Sequence, residues 1–249
     1  MLNEDALARA LGAAGLSAPV RWDDVTGSTN ALALALAAQG TPDWTLVGAG
    51  HQTAGRGRLG RIWVDRPGAA LLCSVVLRPP WEPDHIGLVP LAAGVAMAEA
   101  IGEVSAADIR CKWPNDLLAG GKKIGGVLSE SEAWEPGGPV VVGVGVNLEA
   151  PDDVPGAGAI GRVDPEALLT AFLRGLRALV EGHQSEIRSR WRAVSDTLGR
   201  RIEATTVGGA IARGVAVDLD ETGALLVDST DGPVRVASGE IHHLDVDEG

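Results

Sequence analysis

The chain has 249 residues, room for one large domain or a large and a small one, and too many for a peptide or a disulfide-stapled miniprotein. Twenty-one Lys plus Arg stand against 33 Asp plus Glu, and the resulting net charge of −12 argues against nucleic-acid binding as the default. With 45% hydrophobic and 22% charged residues the composition is that of a folded protein rather than a disordered one.

Taken in chain order, residues 3–15 predict a helix, and Ser28-Thr29-Asn30 reads as the N-terminus of a second one that runs through alanine and leucine to a stop at Gly40. Strand-like runs follow at 45–50 and 70–77, enclosing a Gly/Arg-rich segment too polar for a strand interior. A helix is predicted over 86–101. Three further strands, at 109–113, 123–130 and 140–148, are separated by Pro114-Asn115, Gly120-Gly121 and Gly137-Gly138. Together they predict a mixed or largely antiparallel sheet. A Pro/Gly-rich loop at 151–161 precedes a helix from Asp164 to about Arg192, whose apolar residues recur at three- and four-residue spacing. From Leu198 onward, short β-branched runs alternate with turns at Gly208-Gly209, Thr222-Gly223 and Asp231-Gly232, the pattern of a small barrel. The domain boundary is therefore set near Thr197, giving domains 1–197 and 198–249.

Three features bear on compartment. The longest apolar stretch, 86–98, is broken by Gly87, Pro90 and Gly94 and falls short of the roughly 20 residues a bilayer span needs. The N-terminus lacks the basic-then-apolar order of a signal peptide. Cys73 and Cys111 lie in apolar, strand-like settings and read as buried thiols. The expected location is the cytoplasm, with no membrane and no nucleic-acid partner.

Scarce residue types mark the chemistry. Only three lysines, Lys112, Lys122 and Lys123, stand against eighteen arginines, and the four asparagines are Asn3, Asn30, Asn115 and Asn147. Where Arg would serve, this composition supplies Arg, so three clustered lysines point to a need for a compact ammonium. The string HQTAGRGRLGRIW, residues 51–63, alternates three glycines with three arginines. Glycine lets backbone approach a ligand, and guanidinium groups bind carboxylate or phosphate through paired hydrogen bonds. Its alternatives are a solvated basic loop or an RGG-like nucleic-acid contact. No GxxxxGK[ST] phosphate loop occurs. A second string, KWPNDLLAGGKKIGGVLSE at 112–130, holds all three lysines and a Pro-forced turn before Asp116. It reads either as a carboxylate and ammonium for Mg²⁺ and phosphate or as a salt-bridged hairpin. A third, GVGVN, ends at Asn147, whose amide can pair with a purine edge or simply close a turn.

The order GSTN, QTAGRGRLGRIW, KWPND, KKIGGVLSE, GVGVN resembles the biotin protein ligase family over residues 25–147, and the C-terminal β module matches in type. The resemblance implies an α+β fold: a mixed or antiparallel sheet with flanking helices, related to class II aminoacyl-tRNA synthetases, followed by a small SH3-like β-barrel. It implies a two-step reaction in which biotin and MgATP give biotinyl-5′-AMP, and a lysine of a biotin carboxyl carrier domain then displaces AMP. Ser28, Thr29, Asn30 and Gln52 match positions that hold the polar head of biotin. Gly55, Arg56, Gly57 and Arg58 match the loop that closes over biotin and the adenylate, and Arg61 continues its basic edge. Trp63 packs on adenine in this reading, and Asn115 and Asn147 read its edge. Lys123 matches the lysine between carboxylate and phosphate, beside Gly126, and Asp116 is the candidate for Mg²⁺ or amine positioning.

One departure is the lysine strand, often KLAGIL in the family and KIGGVL here, which alters packing and keeps the lysine. Family members that repress transcription carry a winged-helix domain before GSTN, and with about 25 residues in that place the resemblance implies the monofunctional kind without a DNA-binding domain. Two alternatives remain at this level: a lipoate or octanoate ligase or transferase on the related fold, and a non-catalytic nucleic-acid or carrier-binding module. Monomer and homodimer are both open.

Overall fold

The computed structural model describes residues 2–132, 135–151 and 153–244. Asp152 of the Pro/Gly-rich loop and residues 245–249 of the expected C-terminal domain lie outside them.

Helix α1 (Glu4–Ala13) starts where Asn3 accepts a hydrogen bond from the Ala6 amide at 2.8 Å, with Glu4 and Asp5 at the positive end of the helix dipole. Helix α2 (Thr29–Ala38) is capped by Ser28, and Gly40 ends it at φ +83°, a conformation in which a side chain would be strained. Strands β1 (Val20–Asp23), β2 (Leu46–Ala49), β3 (Ala70–Leu77), β4 (Ile109–Lys112), β5 (Asp116–Ala119), β6 (Lys122–Glu130) and β7 (Val140–Asn147) form one sheet in the order β1-β2-β3-β7-β6-β5-β4. Only β1 and β2 pair in parallel, so the sheet is mixed and largely antiparallel as expected.

Differences from the predicted elements are local. Strands β1 and β5 were not predicted: β1 carries Arg21 and Asp23 among its four residues and shows no apolar run, and β5 begins directly after the Pro114-Asn115 turn. Helix α3 (Leu88–Ser105) starts two residues late, behind a 3₁₀ turn at Pro83–Gly87. The single long helix expected after Asp164 is two, α4 (Pro165–Glu181) and α5 (Gln184–Val194). Gly182 is extended there, and the His183 side chain accepts from the Ser185 amide as a new N-cap. Together the 3₁₀ turn and α3 are long and apolar enough to cross a bilayer by composition. Here 67% of that segment's most apolar stretch is buried, packed against α4 and α5 as the central helix of the core.

The C-terminal strands β8 (Arg201–Thr206), β9 (Ile211–Leu219), β10 (Leu225–Ser229), β11 (Gly232–Val236) and β12 (Gly239–His243) form an antiparallel sheet ordered β11-β10-β9-β8-β12. Trp113, at the end of β4, ties the two sheets together: its amide donates to Thr197 Oγ1 at 2.9 Å and its indole to the Gly223 carbonyl at 3.2 Å.

What places the functional site is the contrast between the faces of the large sheet. Side chains alternate sides along a strand. On one side, Leu71, Cys73, Val75 and Leu77 of β3 and Val140, Val142, Val144 and Val146 of β7 join α1, α3, α4 and α5 in the main core. Each fully buried side chain of this size contributes about 1.5–3 kcal/mol. On the other side, Val76 and Val141 pack with Ala33 and Ala37 of α2, and the apolar cluster ends there. The next residues on that face are Ser74, Gly143 and Gly145. Cys73 and Cys111 are free and buried, and burial pushes both thiols up to about 12.

Candidate active site

The cleft opens where that second face turns from valine to glycine. A Cβ on Gly143 would lie 1.9 Å from Asn30 Oδ1, and one on Gly145 would lie 2.8 Å from the Trp63 indole. The two glycines of GVGVN therefore make room for two expected site residues, and Asn30 and Trp63 lie against the sheet.

One end of the cleft is neutral and polar. Ser28, Thr29 and Asn30, all buried, occupy the start of α2. Gln52 Oε1 accepts from the Thr29 amide at 2.8 Å and from Thr29 Oγ1 at 3.1 Å, which leaves its Nε2 end for a ligand. The Ser74 hydroxyl sits 2.8 Å from Thr29 Oγ1 and 2.6 Å from Asn30 Oδ1. Asn30 spends both amide hydrogens on protein, donating to the Leu128 carbonyl at 3.0 Å and to Glu130 Oε2 at 2.8 Å. Asn30 thus supports the cleft, and its remaining capacity toward a ligand is as an acceptor.

The opposite end is cationic. Lys123 and Lys112 line it, with Lys123 Nζ 2.5 Å from Asp116 Oδ1. Arg58 reaches across to donate to the Gly239 carbonyl at 3.1 Å and to Asn115 Oδ1 at 3.5 Å. Burial pulls its pKa below the ordinary arginine value, and the Glu240 and Asp116 carboxylates act against that shift, so it stays charged. Asn115 donates to the Val127 carbonyl at 2.7 Å, which fixes the turn after the cis Trp113-Pro114 bond. Gly126 lies beside Lys123 on the cleft wall.

The basic segment forms a loose two-stranded loop between these ends. Trp63 donates from its amide to the Gly55 carbonyl at 3.0 Å, and Gly57 to Arg61 at 2.7 Å. A Cβ on Gly55 would stand 2.6 Å from the Trp63 carbonyl, so this glycine is required for the approach. At the neck, His51 Nδ1 is 2.8 Å from Oδ2 of the buried Asp65. Arg56 pairs with Glu130 at 2.9 Å and Arg61 with Glu240 at 2.6 Å. Leu59, Ile62 and Val64 are exposed on it.

Of the expected site residues, the cleft of about 200 Å³ brings together all but two. Gly55 lies in the loop behind it, lining a second hollow with Glu130. Asn147 is buried at the end of β7 and donates to the Gly158 carbonyl at 3.0 Å, holding the 151–161 loop rather than facing the cleft. Sequence reasoning missed Ser74, Glu130 and the C-terminal wall of Glu240, Ile241 and His242. A lone serine inside an eight-residue apolar strand was the available signal for Ser74. Glu130 closes a motif already singled out, and nothing in the sequence connects Glu240 to a site 180 residues earlier.

A sequence profile described as the biotin/lipoate A/B protein ligase family matches residues 22–147, and the biotin protein ligase C-terminal domain matches 197–244. The chain belongs to this family. Within it, the chain is 37% identical over 234 residues to the biotin--[acetyl-CoA-carboxylase] ligase of Mycobacterium tuberculosis, covering 88% of this chain and 86% of that one. The Paracoccus denitrificans ligase of the same name is also 37% identical, with 87% and 97% covered. Among solved structures, biotin protein ligase from Aquifex aeolicus in complex with biotin and ATP superposes with a TM-score of 0.75 at 26% identity, over 92% of this chain and 99% of that one. The Leishmania major enzyme in complex with biotinyl-5-AMP gives 0.63 at 25%, over 92% and 99%. The two family matches cover the large sheet from β1 and the C-terminal sheet.

Proposed function

We propose that the chain activates biotin with MgATP and transfers it to a lysine of a biotin carboxyl carrier domain. The observation that carries this reading is one cleft with a neutral hydrogen-bonding end at Ser28, Thr29 and Gln52 and a cationic end at Arg58, Lys112 and Lys123. A uncharged cyclic urea needs the first, and a carboxylate meeting a triphosphate needs the second.

In the first step a biotin carboxylate oxygen attacks the α-phosphorus and the bond to pyrophosphate breaks. Both reactants are anions, so fixed cations must neutralise them as they approach. Lys123 is placed to bridge carboxylate and phosphate, and Arg58 to follow the charge leaving with pyrophosphate. Mg²⁺ would neutralise charge on the ATP phosphates, where it needs only one or two protein carboxylates; among the described residues no group of three or more His, Cys, Asp or Glu stands together. Asp116 would be that carboxylate, and its Oδ1 lies 2.5 Å from Lys123 Nζ. Trp63 lines the same cleft, and its buried indole Nε1 has no hydrogen-bond partner among the described residues. In the second step the carrier amine attacks the acyl carbon and AMP departs. An amine of pKa about 10.4 must lose a proton first, and Asp116 and Lys123 are the two candidates to assist it. The Gly/Arg loop closes over the water-sensitive mixed anhydride between the two steps.

This reading divides the chain into a catalytic domain, 1–197, and an SH3-like domain, 198–249, and places the enzyme in the cytoplasm with its carboxylase substrates. Biotin-dependent exchange of pyrophosphate into ATP tests it, with mass spectrometry of a carrier domain for the second step. Absence of exchange by the purified protein with Mg²⁺ refutes it. A lipoate-type ligand has no urea to use the Thr29-Gln52 end, so calorimetry should show biotin binding far more tightly than lipoate.

A further inference from the structure

We propose that Glu130 is a positioning residue that couples the neutral end of the cleft to the arginine loop; this rests on the biotin-ligase reading above. Its Oε2 atom accepts two hydrogen bonds at once, from Asn30 Nδ2 at 2.8 Å and from Arg56 Nη2 at 2.9 Å. These donors come from places far apart in the chain, the first turn of α2 and the basic loop, 100 and 74 residues from the acceptor.

An ion pair between exposed side chains is usually worth little, and the Arg56 and Glu130 side chains are 41% and 27% exposed. The Asn30 contact sets this one apart. Asn30 is 4% exposed and held on three sides, by Ser74, by the Leu128 carbonyl and by the bare Gly143 backbone that leaves its amide nowhere else to go. Its second amide hydrogen therefore has Glu130 as its fixed acceptor. That bond pins the carboxylate at the end of β6, where the opposite charge of Arg56 meets it.

Two effects follow. Arg56 is already anchored to the cleft wall before substrate arrives, so less chain freedom is lost when the loop closes. And Asn30 stays in the rotamer that lets Ser74 and Thr29 present Gln52 to the ligand. Removing the carboxylate releases the loop and leaves a buried amide hydrogen unpartnered.

The test compares wild type with Glu130→Ala, Glu130→Gln, Arg56→Ala and the Glu130→Ala/Arg56→Ala pair by pyrophosphate exchange, biotinyl-5′-AMP release and thermal melting. Wild type is assayed first, and its failure to exchange strikes the ligase reading rather than Glu130. Given an active wild type, Glu130→Ala should raise KM for biotin about tenfold while KM for ATP changes less than twofold, and should release the adenylate several-fold faster. Glu130→Gln keeps a neutral acceptor for Asn30 and loses the ion pair, so KM for biotin should return to within about threefold of wild type while release stays fast. The double variant should release the adenylate no faster than Arg56→Ala alone. Unchanged KM and release in Glu130→Ala overturns the proposal, as does full additivity in the double variant. If Glu130→Ala fails to fold, Glu130→Gln with and without Arg56→Ala decides by the same release rates.

Discussion

The floor of the cleft and the loop above it use the same kinds of contact under opposite conditions. On the floor, Asn30, Thr29 and Ser74 are buried, hydrogen-bonded to one another, to Gln52, to the Leu128 carbonyl and to Glu130, and glycines at 143 and 145 admit their neighbours with no space to spare. In the loop, exposed Arg56 and Arg61 hold half-buried carboxylates, three apolar side chains face solvent, and Leu59 takes a left-handed conformation unusual for leucine. A buried network recognises by being unable to move. A charged loop in water can exchange one partner for another at small cost, which suits an arginine such as Arg61 that must leave Glu240 for a phosphate while Arg56 stays on Glu130.

Four substitutions probe that contrast. Lys123→Ala should lower the exchange rate about 10²–10³-fold by removing the cation from the meeting point of two anions. Melting should stay near wild type, because the side chain is 44% exposed; near-normal exchange would remove Lys123 from its role. Arg58→Ala should speed biotinyl-5′-AMP release about 10–100-fold, on the scale of a hydrogen bond to a charged group. An unchanged half-life of the intermediate would detach Arg58 from loop closure. Gly143→Ala, a single methyl on the floor, should cost about 1–3 kcal/mol in urea denaturation and weaken biotin binding, since Asn30 must vacate its place. A fully stable, tightly binding variant would mean the floor is not rigid. Arg61→Ala should change stability by no more than about 1 kcal/mol, its ion pair with Glu240 being exposed. A larger loss would make the loop as structural as the floor.

Much of this was legible in advance. Ser28 announced its helix by cap chemistry, Gly40 marked a stop, and apolar runs marked β3 and β7. The scarcity of lysine and asparagine led to Lys112, Lys123, Asn30 and Asn115, all of which line the cleft. Asn147 shows where that guide ends: the same amide that suits a purine edge also suits the Gly158 carbonyl, and residue type cannot choose between them. The break at Gly182-His183 was hidden because apolar spacing resumes in register with α4.

By itself the sequence determined the order of elements, the family motifs and the chemical types available, because caps, turns and alternation act over a few residues. The tertiary structure alone decided which groups share an atom. Glu130 joins Asn30 to Arg56, Arg58 reaches Gly239, and Trp113 bonds to Thr197 and Gly223 across separations of 74 to 181 residues. Those pairings follow from sheet order and from which face each strand turns to the cleft, and no local rule carries that information.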